Sequence, residues 1–399
     1  MLIRDLGFRP AHPDEEAQIL AAGAREEMER VAAPPPAIHI PAAVLSRDPF
    51  ISYSGIVPKA PLGLAALAAV HLRARPAWFL ISPTWSLEEG SIVENLRRQA
   101  VVHRLQNPSH RLIFVCNTPG EVRLLQERGE AAFFYNKTAN TLERVFRPLA
   151  RARVEFDAIY NAQLLPWKRH ELSLGIDKCA FLFYLDSSAP DSMKAAEAIV
   201  ARHSRMSEHV FLNRVDKSGR PVRLPGSAVN RHLNRAAVGL CLSEKEGAMF
   251  ASVEYLLAGL PIVTTPSTGG RNVYHHEEYC WTVPPDPVSV AEAVRALRAR
   301  NVPRVYVRDH TLRHLELDRR RFLALLNDIL EESGAGRRLS GPWPFRKEVT
   351  MQWLPASEAV RRAVRGRVDG FDARPLQWGR VRNALRRLRH RRRIGGARA

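Results

Sequence analysis

Short apolar runs recur along the chain and alternate with longer segments whose apolar positions return every three or four residues. Between about residues 46 and 174 the runs lie at 78–81, 112–116, 131–135 and 156–160, and a second series follows at 180–184, 210–212, 238–242, 262–264 and 281–283. Continuous apolar runs of this length, bounded by polar loops, suit strands buried on both faces, and the helical period between them supplies the covering layers. The pattern predicts two successive α/β units with parallel sheets and a boundary near residues 172–178.

The flanks read differently. Residues 13–31 form a predicted helix, with Pro13 suited to a first turn and Asp14, Glu15 and Glu16 at the positive end of the dipole. Pro34, Pro35 and Pro36 then make a stiff connector. Residues 311–333 read as an amphipathic helix, and 334–344 as a glycine- and proline-containing break. The expected division is an N-terminal helix and linker (1–45), a first α/β domain (46–175), a second (176–335) and a C-terminal extension (336–399).

Composition narrows the class. With 45% hydrophobic residues in 399, the chain can bury two cores. Cys116, Cys179, Cys241 and Cys280 each lie in or beside an apolar run, at spacings that match neither a zinc site nor a disulfide framework, so buried free thiols are expected. The start, MLIRDLGFRPAHPDEE, lacks the apolar core of a secretion signal, and the apolar stretch near 62–72 is too short to span a bilayer. A cytoplasmic protein is the expectation. The net charge of +19 is unevenly spread, since residues 380–399 hold nine arginines and no acid. There Val381, Leu385 and Leu388 form one stripe of a basic amphipathic helix suited to an anionic membrane surface, which predicts peripheral attachment to the inner face. Nucleic acid is the disfavoured partner, because the charge is segregated from the α/β units and no RNA-binding aromatic motif or zinc module is present.

Ligands of open α/β sheets bind beyond the carboxyl ends of the strands. Three loops so placed are polar: 117–120, 136–140 and 161–170, the last crowding Lys168, Arg169 and His170 together. The richest stretch is 237–286. Its strand at 238–242 delivers Ser243 and Glu244, Glu246 and Gly247 turn the chain, and a helix over 249–258 is stopped by Gly259 and Pro261. The next strand leads to Ser267-Thr268-Gly269-Gly270. An ionised carboxylate accepts hydrogen bonds from two neighbouring sugar hydroxyls, so Glu246 and Glu254 at different heights of one cleft suit a ribose and a hexose. A diphosphate needs backbone N–H groups or cations, and glycines allow the chain to approach closely; the turn at 267–270 is expected to offer unshielded N–H groups.

The run SEKEGAMFASVEYLLAGLPIVTTPSTGG resembles the E-x7-E region of the family 4 glycosyltransferases of GT-B fold, with Glu246 and Glu254 as the two glutamates. The resemblance spans roughly residues 209–298. It implies a GT-B-like α/β architecture, two Rossmann-like domains with parallel sheets facing a cleft, plus helical appendages at both ends. It further implies a nucleotide sugar bound to the second domain, a glycan or lipid-linked acceptor on the first, and transfer with retention of configuration. By the same likeness Glu254 would hold the ribose and Glu246 the transferred sugar, while Gly247, Thr268, Gly269 and Gly270 would lie near sugar or diphosphate. No metal or other cofactor is required, because side-chain cations and dipoles can carry the departing charge.

That family places an Arg and a Lys after the first strand of its second domain. With the run at 180–184 taken as that strand, the chain continues Tyr184-Leu185-Asp186-Ser187-Ser188, and Arg214 and Lys217 are the expected substitutes. Among His103, His110 and His170, the last is the expected catalytic histidine. The alternative reading is a catalytically inert GT-B subunit that binds a sugar nucleotide or serves assembly.

Overall fold

The computed structural model describes residues 6–21, 37–88, 90–184, 190–213, 216–217, 221–340, 343–344 and 351–365. Two six-stranded sheets carry the fold. The first contains β1 (His39–Arg47), β2 (Phe50–Ile56), β3 (Ala77–Pro83), β4 (His110–Cys116), β5 (Ala132–Phe134) and, from far along the chain, β12 (Gln352–Pro355), in the order β12-β1-β2-β3-β4-β5. Strands β2 to β5 are parallel and are joined through α2 (Leu64–Leu72), α3 (Gly90–Gln106) and α4 (Pro119–Glu127), whereas β1 and β12 are antiparallel additions. Every residue of β3 is buried, as befits a central strand covered on both faces.

The second sheet is wholly parallel: β6 (Phe156–Asn161), β7 (Cys179–Leu182), β8 (His209–Phe211), β9 (Ala236–Cys241), β10 (Ile262–Thr264) and β11 (Cys280–Thr282). Its spatial order is β8-β7-β6-β9-β10-β11. Counted from β6, that is 3-2-1-4-5-6, the doubly wound order whose switch point, between the first and fourth strands, opens a crevice for ligands. Helices α5 (Pro190–His203), α6 (Gly226–Leu233), α7 (Phe250–Leu257) and α8 (Pro287–Arg300) lie between or after these strands. Asp286 caps the start of α8 by accepting from Val288 N at 3.0 Å and Ser289 N at 2.9 Å, and Pro287 follows.

The expected boundary near 172–178 is wrong. Ala158 of β6 lies opposite both Cys179 of β7 and Val238 of β9, so β6 is the central strand of the second sheet and not the last of the first. The units divide between residues 134 and 156. A buried strand carries no mark of which sheet it joins; its partners, both later in the chain, decide.

The appendages also need correction. Helix α1 (Pro13–Ala21) docks on the first domain, where Arg97 of α3 grips Glu15 through Nε (2.6 Å) and Nη2 (2.7 Å). Strand β1 begins at His39, inside the expected linker. Residues 352–355 add to the first sheet, with His39 opposite Pro355, and α10 (Ala356–Arg365) packs against α2. Residues 380–399, with the basic tail, lie outside the described residues.

The helix expected at 311–333 is longer: α9 (Arg304–Glu332), about 44 Å at 1.5 Å per residue. It ties the domains together. Arg308 donates to Leu257 O of the second domain (2.7 Å) and to Glu143 O (2.8 Å). Arg319 donates to Ala139 O and Thr141 O, both at 2.8 Å, and Phe322 stacks on Tyr135 with ring centroids 4.4 Å apart. One apolar core therefore runs from the second sheet along α9 onto one face of the first sheet, and a separate core lies beneath α2, α3 and α4 on the other face. The carboxyl edges of the two sheets meet: a side chain on Gly247 would strike Thr84 O at 2.5 Å, and one on Gly270 would strike Asn117 and Asn136 at 2.7 Å. Two parallel-sheet, Rossmann-like units with facing carboxyl edges make a GT-B-like α/β architecture, as expected. Among the described residues no helix is long and apolar enough to cross a membrane, and all four cysteines are buried and free.

Candidate functional site

The crevice between β6 and β9 is lined by the loops that leave those two strands. After β6, Asn161 is fixed at its backbone N by Tyr255 Oη (2.5 Å), and its Nδ2 donates to Glu254 Oε2 at 3.1 Å. Half-buried Glu254 thus projects from the mostly buried α7 with its carboxylate oriented by a neighbouring amide. Further along, Pro166–Lys168 forms one 3-10 turn that Arg169 ends in the left-handed region (φ 51°). Tyr160 Oη, buried under the loop, donates to Lys168 O at 2.7 Å.

The loop after β9 meets this turn. Glu244 N donates to Trp167 O at 3.2 Å, and two residues on, the Glu246 carboxylate pairs with the Lys168 ammonium. Both are largely withdrawn from water, Glu246 being 6% and Lys168 8% exposed. An ion pair so buried is held by mutual neutralisation, since either charge alone would suffer a large desolvation penalty. Arg169 spans the adjacent loops, donating from Nε to Leu242 O (2.6 Å) and from Nη2 to Thr265 Oγ1 (2.8 Å).

Beneath them lies Arg271, 1% exposed, whose burial nothing in its local sequence announces. Its guanidinium donates to Ser243 O, Thr265 O and, at 2.7 Å, Thr264 Oγ1. Burial lowers its pKa, while Cys241, Tyr160 and Glu246 oppose that shift. The first domain brings Lys137, in the 3-10 turn Lys137–Asn140 after β5, whose Nζ donates to Pro83 O at 2.5 Å. Burial pulls its pKa down to about 8, and the charges of Glu121 and Glu246 hold it from falling further. Glu121, itself buried, accepts from Leu87 N (3.1 Å) and Asn117 N (2.7 Å). Both polar loops singled out in the first domain, 117–120 and 136–140, thus reach this region. Asn136 Nδ2 bridges them to the second domain by donating to Asn117 O (3.1 Å) and Gly270 O (2.8 Å).

The backbone of the glycine turn is bonded to the acidic loop. Thr268 N donates to Glu244 O at 3.1 Å, Glu246 N returns to Thr268 O at 3.1 Å, and Gly270 N donates to Gly247 O at 2.8 Å. The expectation of unshielded N–H groups therefore fails for Thr268 and Gly270. Thr268 is exposed, and the role of the turn is to brace the loop that holds Glu246.

His170 does not face the crevice. One residue past the left-handed Arg169 its ring turns inward and lies 4.8 Å from Tyr160 and 6.1 Å from Phe181, with both ring nitrogens unsatisfied. It is a core histidine of the second domain. His103 and His110 are buried too, joined at 3.0 Å, and His110 opens β4 at the edge away from the crevice. Lys217 is exposed in the chain beyond β8, the edge strand two places from β6, so the structure does not bring it to Glu246. Arg214 lies outside the described residues.

Burial, with His203 and Lys168 nearby, holds the His170 pKa down to about 3. The unfolded chain takes up this proton near pH 6.5 and the folded protein does not, so the contribution to stability is complete above about pH 6.5 and is lost as pH falls toward the folded value. His170→Phe should keep activity, leave the melting temperature at pH 7 unchanged or higher, and soften the acid loss of stability. A well-folded His170→Phe protein without activity would return this residue to the chemistry.

Lys168 and Arg169, in the polar loop at 161–170, follow β6, which is the first strand of the second sheet. Residues 188–300 match the family model described as glycosyl transferases group 1. The matched part includes Glu246, Glu254 and the glycine turn. No curated protein matches the chain. Among solved structures, it is similar to sucrose-phosphate synthase from Thermosynechococcus elongatus (14% identity, 71% of this chain and 74% of that one, TM-score 0.49). It is also similar to Anabaena HepE in complex with UDP (13%, 69% and 76%, 0.48) and to the α,α-trehalose 6-phosphate synthase of Burkholderia multivorans (12%, 85% and 80%, 0.49).

Proposed function

We propose that the chain is a glycosyltransferase that moves a sugar from a nucleotide-diphosphate sugar to a glycan or lipid-linked acceptor, with retention of configuration. The observation that carries this reading is the Lys168–Glu246 pair beside Asn161–Glu254 at the switch point of a doubly wound sheet. The group 1 match over residues 188–300, which include Glu246 and Glu254, supports it.

In this reading Glu254, oriented by Asn161, accepts from the ribose hydroxyls, and Glu246 accepts from hydroxyls of the transferred sugar. Lys168 and Arg169 face the diphosphate. As the bond between the anomeric carbon and the phosphate oxygen breaks, charge gathers on that oxygen, and fixed cations stabilise it more than they stabilise the ground state. The acceptor hydroxyl attacks the same face of the sugar and gives its proton to the departing phosphate. Configuration is thereby kept, and no cofactor beyond the nucleotide sugar enters. The alternative, a catalytically inert subunit that binds a sugar nucleotide, predicts donor binding without turnover on any acceptor. Peripheral attachment to an anionic membrane would depend on the tail at 380–399.

A thermal-shift screen with UDP-, GDP-, ADP- and CMP-sugars tests the reading. A ligand bound only by the folded state raises its melting temperature, by the equivalent of about 2.7 kcal/mol at a hundred times its Kd. One nucleotide class should shift the transition. Glu254→Ala should weaken that donor by about 10- to 100-fold, because hydrogen bonds to a carboxylate are worth about 1.5–3 kcal/mol. If no nucleotide sugar moves the wild-type transition, the proposal fails.

A further inference from the structure

Two tryptophans stand at the mouth of the crevice, one from each domain. Trp85 follows β3 and is 40% exposed, and Trp167 sits in the turn after β6 and is 42% exposed. Their ring centroids are 6.4 Å apart with planes at 87°, so the edge of one indole meets the face of the other. Single exposed apolar residues are ordinary. This pair differs because both backbones are locked to the loop that carries Glu246.

Trp167 O accepts from Glu244 N at 3.2 Å, and the next residue, Lys168, is the partner of Glu246. On the other side the backbone of Trp85 lies so close to Gly247 that a Cβ there would be 2.9 Å from Trp85 Cα. Both indoles therefore bracket the Glu246 end of the crevice. The Glu254 end is closed by Asn161 instead.

We propose that Trp85 and Trp167 form the acceptor subsite and that the group they hold is a pyranose ring. This rests on the glycosyltransferase reading and adds the class of acceptor to it. One face of a pyranose presents C–H groups with small positive charge, which the negative face of an indole attracts, while the hydroxyls point outward from the ring edge. Two indoles at right angles make a floor and a wall, so a stacked ring keeps one edge directed at the crevice. Because each indole belongs to a different domain, the subsite is complete only when the carboxyl edges meet.

The test titrates the full chain with the methyl glycosides of glucose, galactose, mannose and N-acetylglucosamine and follows tryptophan fluorescence. At least one glycoside should give a saturable change. Trp85→Ala and Trp167→Ala should each raise its Kd by about tenfold, the scale of one aromatic contact, and Trp→Phe at the same positions should restore most of the affinity. The thermal shift by nucleotide sugars should be the same in all four variants. The proposal is overturned if no glycoside gives a saturable change, or if the change persists undiminished in the double Ala variant. Equal loss of the nucleotide-sugar shift also overturns it, since the indoles would then belong to the donor. Glycoside binding at the indoles without any nucleotide-sugar shift would sink the glycosyltransferase reading alone.

Discussion

Glu246→Gln is expected to lower kcat for sugar transfer by about 10²- to 10³-fold, the range found when one preorganised polar group is removed from a transition state. The donor should still bind, because Asn161–Glu254 and Arg169 are untouched. Glutamine keeps the shape and can still accept from Lys168, but it leaves a buried ammonium without its counter-charge. Lys168→Met creates the opposite fault, a buried carboxylate alone, and breaking a buried pair from one side typically costs about 3–5 kcal/mol. The double variant, with neither charge, should regain most of that stability while remaining inactive. Denaturant unfolding of the three variants, with kcat measured on each, separates the two roles. Full activity in Glu246→Gln would rule out the assigned role. Additive losses of stability would show that the two groups are not coupled.

Gly269→Ala should do comparable damage by a different route. Gly269 has φ 90° and ψ −169°, a region open in practice only to glycine, and occupying it with a side chain costs on the order of 1–3 kcal/mol. The added Cβ would also land on the carbonyl oxygen of Glu246, so the acidic loop must move. The Glu246 N–Thr268 O and Thr268 N–Glu244 O bonds that align the two loops would break, and transfer should be lost together with several kcal/mol of stability. Gly120→Ala is the control, because a Cβ there meets only Thr118 Oγ1 at 3.5 Å, on the first turn of α4. Similar unfolding midpoints for the two variants would remove the argument for strain.

Much of the second domain was legible because its signals are local. The order strand, acidic loop, helix, strand and glycine turn over 238–270 follows from apolar runs and from Gly259 and Pro261. The spacing of Glu246 and Glu254 needs no distant partner. The site around them was less legible. Lys168 and Arg169 were seen as a cationic loop but attributed to the first domain, since the run Phe156–Asn161 reads the same in either sheet. With β6 counted in the first sheet, the residues that follow the first strand of the second domain are Tyr184 to Ser188, which is why Arg214 and Lys217 are the expected substitutes.

His170 shows the same limit at the scale of neighbouring residues. Lys168, Arg169 and His170 are consecutive, yet the first pairs with Glu246, the second spans the loops and the third enters the core against Tyr160. A 3-10 turn followed by a left-handed residue rotates successive side chains in ways that a loop sequence does not announce. Arg271, Lys137 and Glu121 were hidden for a related reason. A charged residue can be buried only where others neutralise it, and those partners come from separate strands.

By itself, then, the sequence determined the alternation of strands and helices, the burial of the cysteines and the pair of glutamates on either side of one turn. Each depends on residues within a few positions of one another. Tertiary structure alone decided which sheet β6 joins, which cations meet Glu246, which way His170 turns and how α9 binds one domain to the other. Those outcomes depend on pairings across tens to hundreds of residues, where burial and charge neutralisation are properties of the assembled neighbourhood.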